Sequence, residues 1–436
     1  MRKALRLLAA IVAAWIFATL TQAQTQPDKA PSYQEKVLHA FNGTSDGWEP
    51  ISLIRDAKGN LYGASLWGGY LGEGCNIFFT GCGTVFELTA KGKFKTLHTF
   101  QFGDGAVPFG NLIQDASGNL YGTTIDGGTA GNCDSGCGVV FKLTTKGEFT
   151  RLYSFTNGSD GAYPFEGVVM DAAGNLYGAS QNGALGGGVV FELTSSGDFH
   201  VLHSFDKNDG FAPNGLFLSA DGNLYGTTNS GGDLSCSAGG GGGCGVVYKL
   251  DKAGTETVLY RFKGTSDGLF PQSPLLMDKA GNLFGTAQAG GDKKGHCNLS
   301  DAPSGCGTVF KIDTAGKFTV LFTFDSADGA QPYNGQLTQD SEGVLFGTTS
   351  AGGNGKCTYT DNAVGCGVVF KLTAAGKESV LYNFKRRSDG GVPYTGVIED
   401  GKGNLYGTTI DGGDLSCTPN NGEGCGVIFE LKPQHK

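Results

Sequence analysis

An all-β fold, a seven-bladed β-propeller, is what this sequence predicts, and three observations carry the prediction. A unit recurs seven times, each copy reads as four short strands, and the chain starts with a strand that its last copy lacks. Alignment on Asn-Leu-Tyr-Gly and its variants makes Asn60, Asn119, Asn175, Asn223, Asn282, Val344 and Asn404 equivalent. Their spacings are 59, 56, 48, 59, 62 and 60 residues. Self-similarity at this period marks propellers and related arrays. The stretch GNLYGTTIDGG even occurs twice unchanged, at 118–128 and 403–413.

Each copy spells the same order of elements. A β-type run such as VLYSF leads into a D-G-x-x-P loop and a short apolar run such as GNLIQD. A tight turn then precedes NLYGTT, a long Gly-rich loop follows, and GVVFKLT completes the unit. Four strands with turn residues at fixed places describe one propeller blade. The 76 glycines and only three methionines suit short strands joined by many turns. A Gly inside a strand needs a close neighbour to justify it. For the Gly of NLYG (Gly63 to Gly407), blades pressed together near the axis are the expected neighbour.

The seventh copy runs out after Leu431, without a VLxxF strand, while an extra VLHAF stands at residues 37–41. The N-terminal strand is therefore expected to complete the last blade as its outer strand, leaving no unpaired sheet edge at the seam. The expected organisation is a leader at 1–23, a linker at 24–34, the propeller at 35–432 and a tail at 433–436.

Residues 1–23 read as a secretory leader: Arg2, Lys3 and Arg6, an apolar run, then Thr21-Gln22-Ala23. Export to the periplasm, cell surface or medium is expected, without stable membrane insertion. Losing those three cations takes the net charge from −9 to −12. An acidic surface without a basic stripe argues against nucleic-acid binding, which depends on Lys and Arg at phosphates.

Cysteines fall as Cys75/Cys82, Cys133/Cys137, Cys236/Cys244, Cys297/Cys306, Cys357/Cys366 and Cys417/Cys425. Each pair sits between NLYGTT and GVVF. The third repeat lacks both partners, with Gly187 in place of the second. Joint loss is what an intra-loop disulfide requires, and an oxidising compartment permits it. The expected role of the bridges is to hold the long Gly-rich loops in shape, giving one face of the ring rigid loops. Zinc fits poorly, since no His recurs with the pairs.

Chemistry is harder to find. Asp46, Asp104, Asp160, Asp209, Asp267, Asp328 and Asp389 open the D-G-x-x-P loops and suit turn capping. Asp56, Asp115, Asp171, Asp278, Asp340 and Asp400 precede the turn into the second strand and read the same way. His39, His98 and His203 share one position with Tyr153, Tyr260, Phe322 and Tyr382, so that position is expected to pack rather than act as a base. No metal site, cofactor, nucleophile elbow or phosphate loop is recognised.

What breaks the repeat is more informative. Trp48 and Trp67 are the only tryptophans after the leader, and both lie in loops of the first repeat. With Tyr70 and Phe78–Phe79 they are candidates for an aromatic platform binding a sugar or a partner protein; packing within the loops is the alternative. The joined motifs resemble the GloVer tandem-repeat family of exported bacterial proteins, over residues 35–432. That resemblance implies a propeller-like repeat outside the cytoplasm and no defined activity. The expected function is a non-catalytic, monomeric binding module for carbohydrate or a cell-surface protein. A polysaccharide-active enzyme, glycosidase or lyase, is the alternative, with Glu49 or Glu73 as the carboxylates to examine.

Overall fold

The computed structural model describes residues 32–75, 81–129, 131–236, 242–264, 266–291, 297, 305–354, 357, 365–417 and 423–434. Thirty strands and no helix occur among the described residues, and they form seven antiparallel sheets. These are the blades of the propeller. Residues 1–31, read above as leader and linker, together with Phe78–Phe79 and the last two residues, lie outside the described residues.

In every blade a very short strand lies at the axis, from Ile54–Arg55 in blade 1 to Ile398–Glu399 in blade 7. Each pairs with the strand that starts at the NLYG motif, which pairs with the GVVF strand and then with the outer strand. At the seam, Tyr33–Ala40 pairs with Val427–Pro433, giving the last blade its fourth strand from the N-terminal side of the chain. This pairing starts at Tyr33 and reaches Pro433, somewhat beyond the expected boundaries at 35 and 432. Ser32 Oγ extends it by donating to Gln434 Oε1 at 2.9 Å.

The glycine of NLYG has a close neighbour, but not the expected one. Gly63 pairs across the strands with Phe86 of its own blade, and a Cβ there would lie 2.4 Å from the Phe86 ring. The same holds for Gly407 and Phe429 at 2.5 Å. The aromatic ring of the third strand folds over the second, so the constraint lies within a blade and not between blades. Those rings are fully buried and form the blade cores.

All twelve cysteines pair as six disulfides within single loops, with Cα–Cα distances of 5.0 to 5.8 Å. The pairing is as expected, and the second cysteines lie buried beneath the loops they close. Cys137, Cys244, Cys306, Cys366 and Cys425 have no solvent exposure, and Cys82 has almost none. The reason is position: each stands two residues before the third strand, where the chain has already entered the hydrophobic core. Cys137 packs in one cluster with Val140 and Phe155, Cys244 with Val247 and Phe262, and Cys306 with Val309 and Phe324. These sulfurs are core residues that anchor the loops from beneath, and they offer no surface to a ligand.

The buried cysteines also serve a joint that the sequence did not reveal. The residue before the loop proline is left-handed in every blade: Glu49, Val107, Tyr163, Ala212, Phe270, Gln331 and Val392, with φ from 54° to 58°. Such a conformation costs a non-glycine residue on the order of 1 kcal/mol. It turns the N–H onto the preceding blade, where the second cysteine's carbonyl accepts it. Glu49 donates to Cys425 at 3.1 Å, Val107 to Cys82 at 3.0 Å and Tyr163 to Cys137 at 3.0 Å. Phe270 donates to Cys244 at 3.2 Å, Gln331 to Cys306 at 2.9 Å and Val392 to Cys366 at 2.8 Å. In the blade without a disulfide, Gly187 provides the carbonyl for Ala212 at 2.8 Å. The proline that follows closes on the glycine after that carbonyl: a Cβ on Gly83 would lie 2.5 Å from Pro108 Cδ. One such joint at each of the seven junctions ties the ring together.

Candidate functional site

The D-G-x-x-P and cysteine loops lie side by side, bridged by backbone pairs such as Ala106↔Asp126 and Gly391↔Asp411. They share one face of the ring. The loop aspartates cap backbone N–H groups at 2.8 to 3.1 Å, as their turn position predicts. The Asp56 series does the same, Asp56 accepting from Lys58 N and Asn60 N.

The shared His/Tyr/Phe position does more than pack. Tyr153, Tyr260 and Tyr382 donate to Asp160, Asp267 and Asp389 at 2.9 to 3.0 Å. His39, His98 and His203 approach Asp46, Asp104 and Asp209 at 3.0 to 3.2 Å. Where the position is Phe322 no donor is available, and burial pushes Asp328 up to about 6. This polar pairing was not foreseen, because Phe in one copy concealed it in the other six.

Of the aromatic set, the structure brings Trp48 and Trp67 together and buries Trp48. Trp48 is 6% exposed and packs with Phe41, Leu53 and Ile428 at the seam between the last and first blades. The strand pairing Trp48↔Trp67 brings the two rings to 6.3 Å, tilted 34°, and Trp67 Nε1 donates to Glu49 Oε2 at 3.1 Å. Tyr70, 43% exposed, is the one member of the set that solvent reaches freely among the described residues. Of the two carboxylates named for catalysis, Glu73 is exposed. Glu49 is half-buried, and its partial burial followed by the charge of Asp411 pushes it up to about 7 against the Trp67 hydrogen bond.

The ring axis holds a cavity of about 520 Å³ between the short inner strands. Its walls are mostly apolar, with Asn111, Glu166, Gln336, Thr338 and Thr395 supplying uncharged or titratable polar groups. Arg55 also borders it, its guanidinium 5.5 Å from the Tyr406 ring centroid. Towards the loop face, four rings close over the cavity. Phe109 lies 4.1 Å from Phe165 and 6.1 Å from Tyr394, and Tyr394 lies 4.3 Å from Tyr333. Beyond Tyr333 and Tyr394 a second pocket of about 200 Å³ is edged by Gln288, Gln331 and Ser350.

Glu166 stands where these rings meet the cavity. It is 5% exposed, no hydrogen bond from the described residues reaches its carboxyl, and burial pushes it up to about 8. Asn334 borders the same constriction, and its Nδ2 is buried without a hydrogen-bond partner. Tyr333 is raised first by burial, lowered by a hydrogen bond from Tyr394 and raised again by Glu166. An unpaired buried polar group is costly and rare in folded proteins, so the Asn334 amide beside the desolvated Glu166 carboxyl marks a place arranged for something other than stability.

The sequence did carry a signal for Glu166. The second residue after the loop proline is Ser52, Gly110, Glu166, Gly215, Ser273, Asn334 or Thr395. Glu166 is the single charged residue in that column, a departure hidden because the column itself is variable.

The Gloeobacter/Verrucomicrobia repeat model matches this chain over residues 26–238 and 235–418. A comparison with curated proteins finds no match. Among solved structures, virginiamycin B lyase from Staphylococcus aureus is similar with a TM-score of 0.57 at 14% identity, covering 92% of this chain and 99% of that one. A catalytically inactive His-to-Ala variant of that lyase with quinupristin gives 0.55 at 12% identity, covering 92% and 99%. The extracellular domain of BT4673 from B. thetaiotaomicron gives 0.54 at 9% identity, covering 93% of this chain and 40% of that one. At these identities the likeness is one of fold.

Proposed function

This chain belongs to the Gloeobacter/Verrucomicrobia repeat family, and from that premise and the axial cavity we propose that it is an exported binding module for a carbohydrate. One observation carries the reading: a buried carboxyl without a partner, Glu166, facing a cavity beside the unpaired amide of Asn334. Below about pH 8 that carboxyl is neutral, so it both donates and accepts. With Asn111, Gln336, Thr338 and Thr395 it forms an uncharged set of donors and acceptors among apolar walls. A polyhydroxylated ring matches such a lining, with the Arg55 guanidinium at its border held against the Tyr406 ring. Six disulfides support a location in an oxidising compartment, in keeping with the leader read at residues 1–23.

The alternative, a polysaccharide-active enzyme, has one specific observation behind it. Glu49, at about 7 and beside Asp411, is protonated to the right degree for a general acid near neutral pH. A glycan array followed by reducing-end assays on the hits separates the readings. Retention without new reducing ends supports the binding module, and turnover that Glu49→Gln abolishes supports the enzyme. Absence of any glycan retention overturns both.

A further inference from the structure

Seven junctions repeat one arrangement along the outer strands. The His, Tyr or Phe of one blade meets a loop aspartate and the residue that opens the repeat's outer strand in the next blade. In four junctions that residue is Phe, stacked on the ring before it: Phe94 on His39 at 3.8 Å, Phe149 on His98 at 4.3 Å, Phe199 on Tyr153 at 4.1 Å and Phe318 on Tyr260 at 3.7 Å. In three it is a glutamate: Glu35, Glu256 or Glu378. Glu35 joins Tyr382 and Asp389, and Glu378 joins Phe322 and Asp328. At the junction of blades 3 and 4 the glutamate coincides with a histidine.

There His203 Nε2 lies 3.2 Å from Asp209 Oδ2, and one ligand atom each of His203, Asp209 and Glu256 falls within 4.8 Å of the other two. Glu256 Oε1 is buried and has no hydrogen-bond partner. Its carboxyl also feels Arg261, whose Nη2 is engaged with the Asn208 carbonyl at 3.3 Å. The Asp209 Oδ1 atom is committed to Asp206 N at 2.8 Å, which fixes the carboxylate and leaves Oδ2 turned inward.

We propose that His203, Asp209 and Glu256 form a binding site for a divalent transition metal of the zinc class. One imidazole and two carboxylates are three ligands of the kinds zinc takes, and a fourth position is left for water. Ligand atoms around a tetrahedral zinc stand about 3.4 Å apart. The His–Asp pair already has that spacing, and Glu256 needs only to swing inward. Two carboxylates that repel one another become favourable neighbours around a dication. Calcium is a poor occupant, because its sites are built from oxygens and not from imidazole. The site stands on the outer strands, so it pins two blades together and does not belong to the axial cavity.

The repeat itself provides the test. Untagged protein, dialysed against chelator, is titrated with Zn²⁺ and separately with Ca²⁺ by calorimetry. The expected result is one high-affinity Zn²⁺ equivalent and no comparable Ca²⁺ binding. Glu256→Phe rebuilds the stacked joint found at His98, Asp104 and Phe149, so the fold should persist while Zn²⁺ affinity falls at least tenfold. The reverse change, Phe149→Glu, should add a second equivalent at His98 and Asp104. His98→Ala in the native background serves as control and should leave the first equivalent intact. No Zn²⁺ binding by the native protein, or unchanged binding by Glu256→Phe with its circular dichroism preserved, overturns the proposal.

Discussion

Replacing Glu166 with glutamine should make the protein more stable at alkaline pH while changing little in acid. The carboxyl sits at about 8 in the folded chain because it is buried without a hydrogen bond. In the unfolded chain it titrates near about 4.3. A folded value above the unfolded one means that the folded state holds the proton more tightly. Its stabilising effect is therefore complete below about pH 4 and is lost as pH rises through about 8. With 1.36 kcal/mol per unit, the gap amounts to about 5 kcal/mol, lowered towards about 2 kcal/mol by water entering the cavity once the group ionises. Glutamine keeps the size and the neutral polarity of the protonated acid but cannot ionise. Guanidinium unfolding, followed by the fluorescence of Trp48 and Trp67, should be run on both proteins from pH 4 to pH 9. The difference between them should open above pH 5 and favour the variant. Glu35, Glu49 and Glu378, each pushed up to about 7, also weaken the fold as pH rises, but equally in both proteins. Parallel curves across the range would show that Glu166 is solvated or paired, and the reading of the cavity would fall with it.

Other perturbations test the scaffold. Deleting residues 24–41 removes the outer strand of the last blade and should lower Tm by more than about 10 °C, since an edge of the seam sheet is then left unpaired; an unchanged Tm contradicts the closure. Gly63→Ala sets a Cβ 2.4 Å from the Phe86 ring and 2.3 Å from the Ser52 carbonyl, and denaturant unfolding should show a loss of about 2 kcal/mol or more. Phe322→Tyr supplies Asp328 with the phenol that Tyr382 gives Asp389, and should stabilise by about 1 kcal/mol at pH 7 in the same unfolding assay. Opening one disulfide by Cys417→Ser with Cys425→Ser should cost about 2 kcal/mol on chain-entropy grounds, plus any loosening of the Glu49 to Cys425 hydrogen bond.

The architecture was legible because it is repeated. Seven copies of one turn and one strand glycine, six of one cysteine pair, leave a single reading, and the missing last strand identifies its replacement at Tyr33–Ala40. The blade joint was not legible. Positive φ at Glu49, Val107, Tyr163, Ala212, Phe270, Gln331 and Val392 follows from the shape of the loop and not from any residue preference, so the column looks random in sequence. For the same reason the pairing of Cys137, Cys244 and Cys306 could be read from spacing, but not the carbonyls they present to the next blade. The placement of the tryptophans was hidden for a related reason. They break the pattern, but strand pairing turns both towards the seam, where size is useful for packing. Glu166 also breaks its column and was passed over, since whether such a residue faces solvent or the axis depends on the ring closing around it. Departures from a repeat mark candidates; burial without a partner separates Glu166 from Trp48.

The most direct test of the axial site is the affinity of Glu166→Leu for whichever glycan the array retains on the native protein. Leucine keeps the volume and removes both the donor and the acceptor. Titration calorimetry should show at least a tenfold loss of affinity, with Tm at pH 6 within a few degrees of the native protein. Equal affinity in the two proteins would place the glycan elsewhere on the ring and contradict the account.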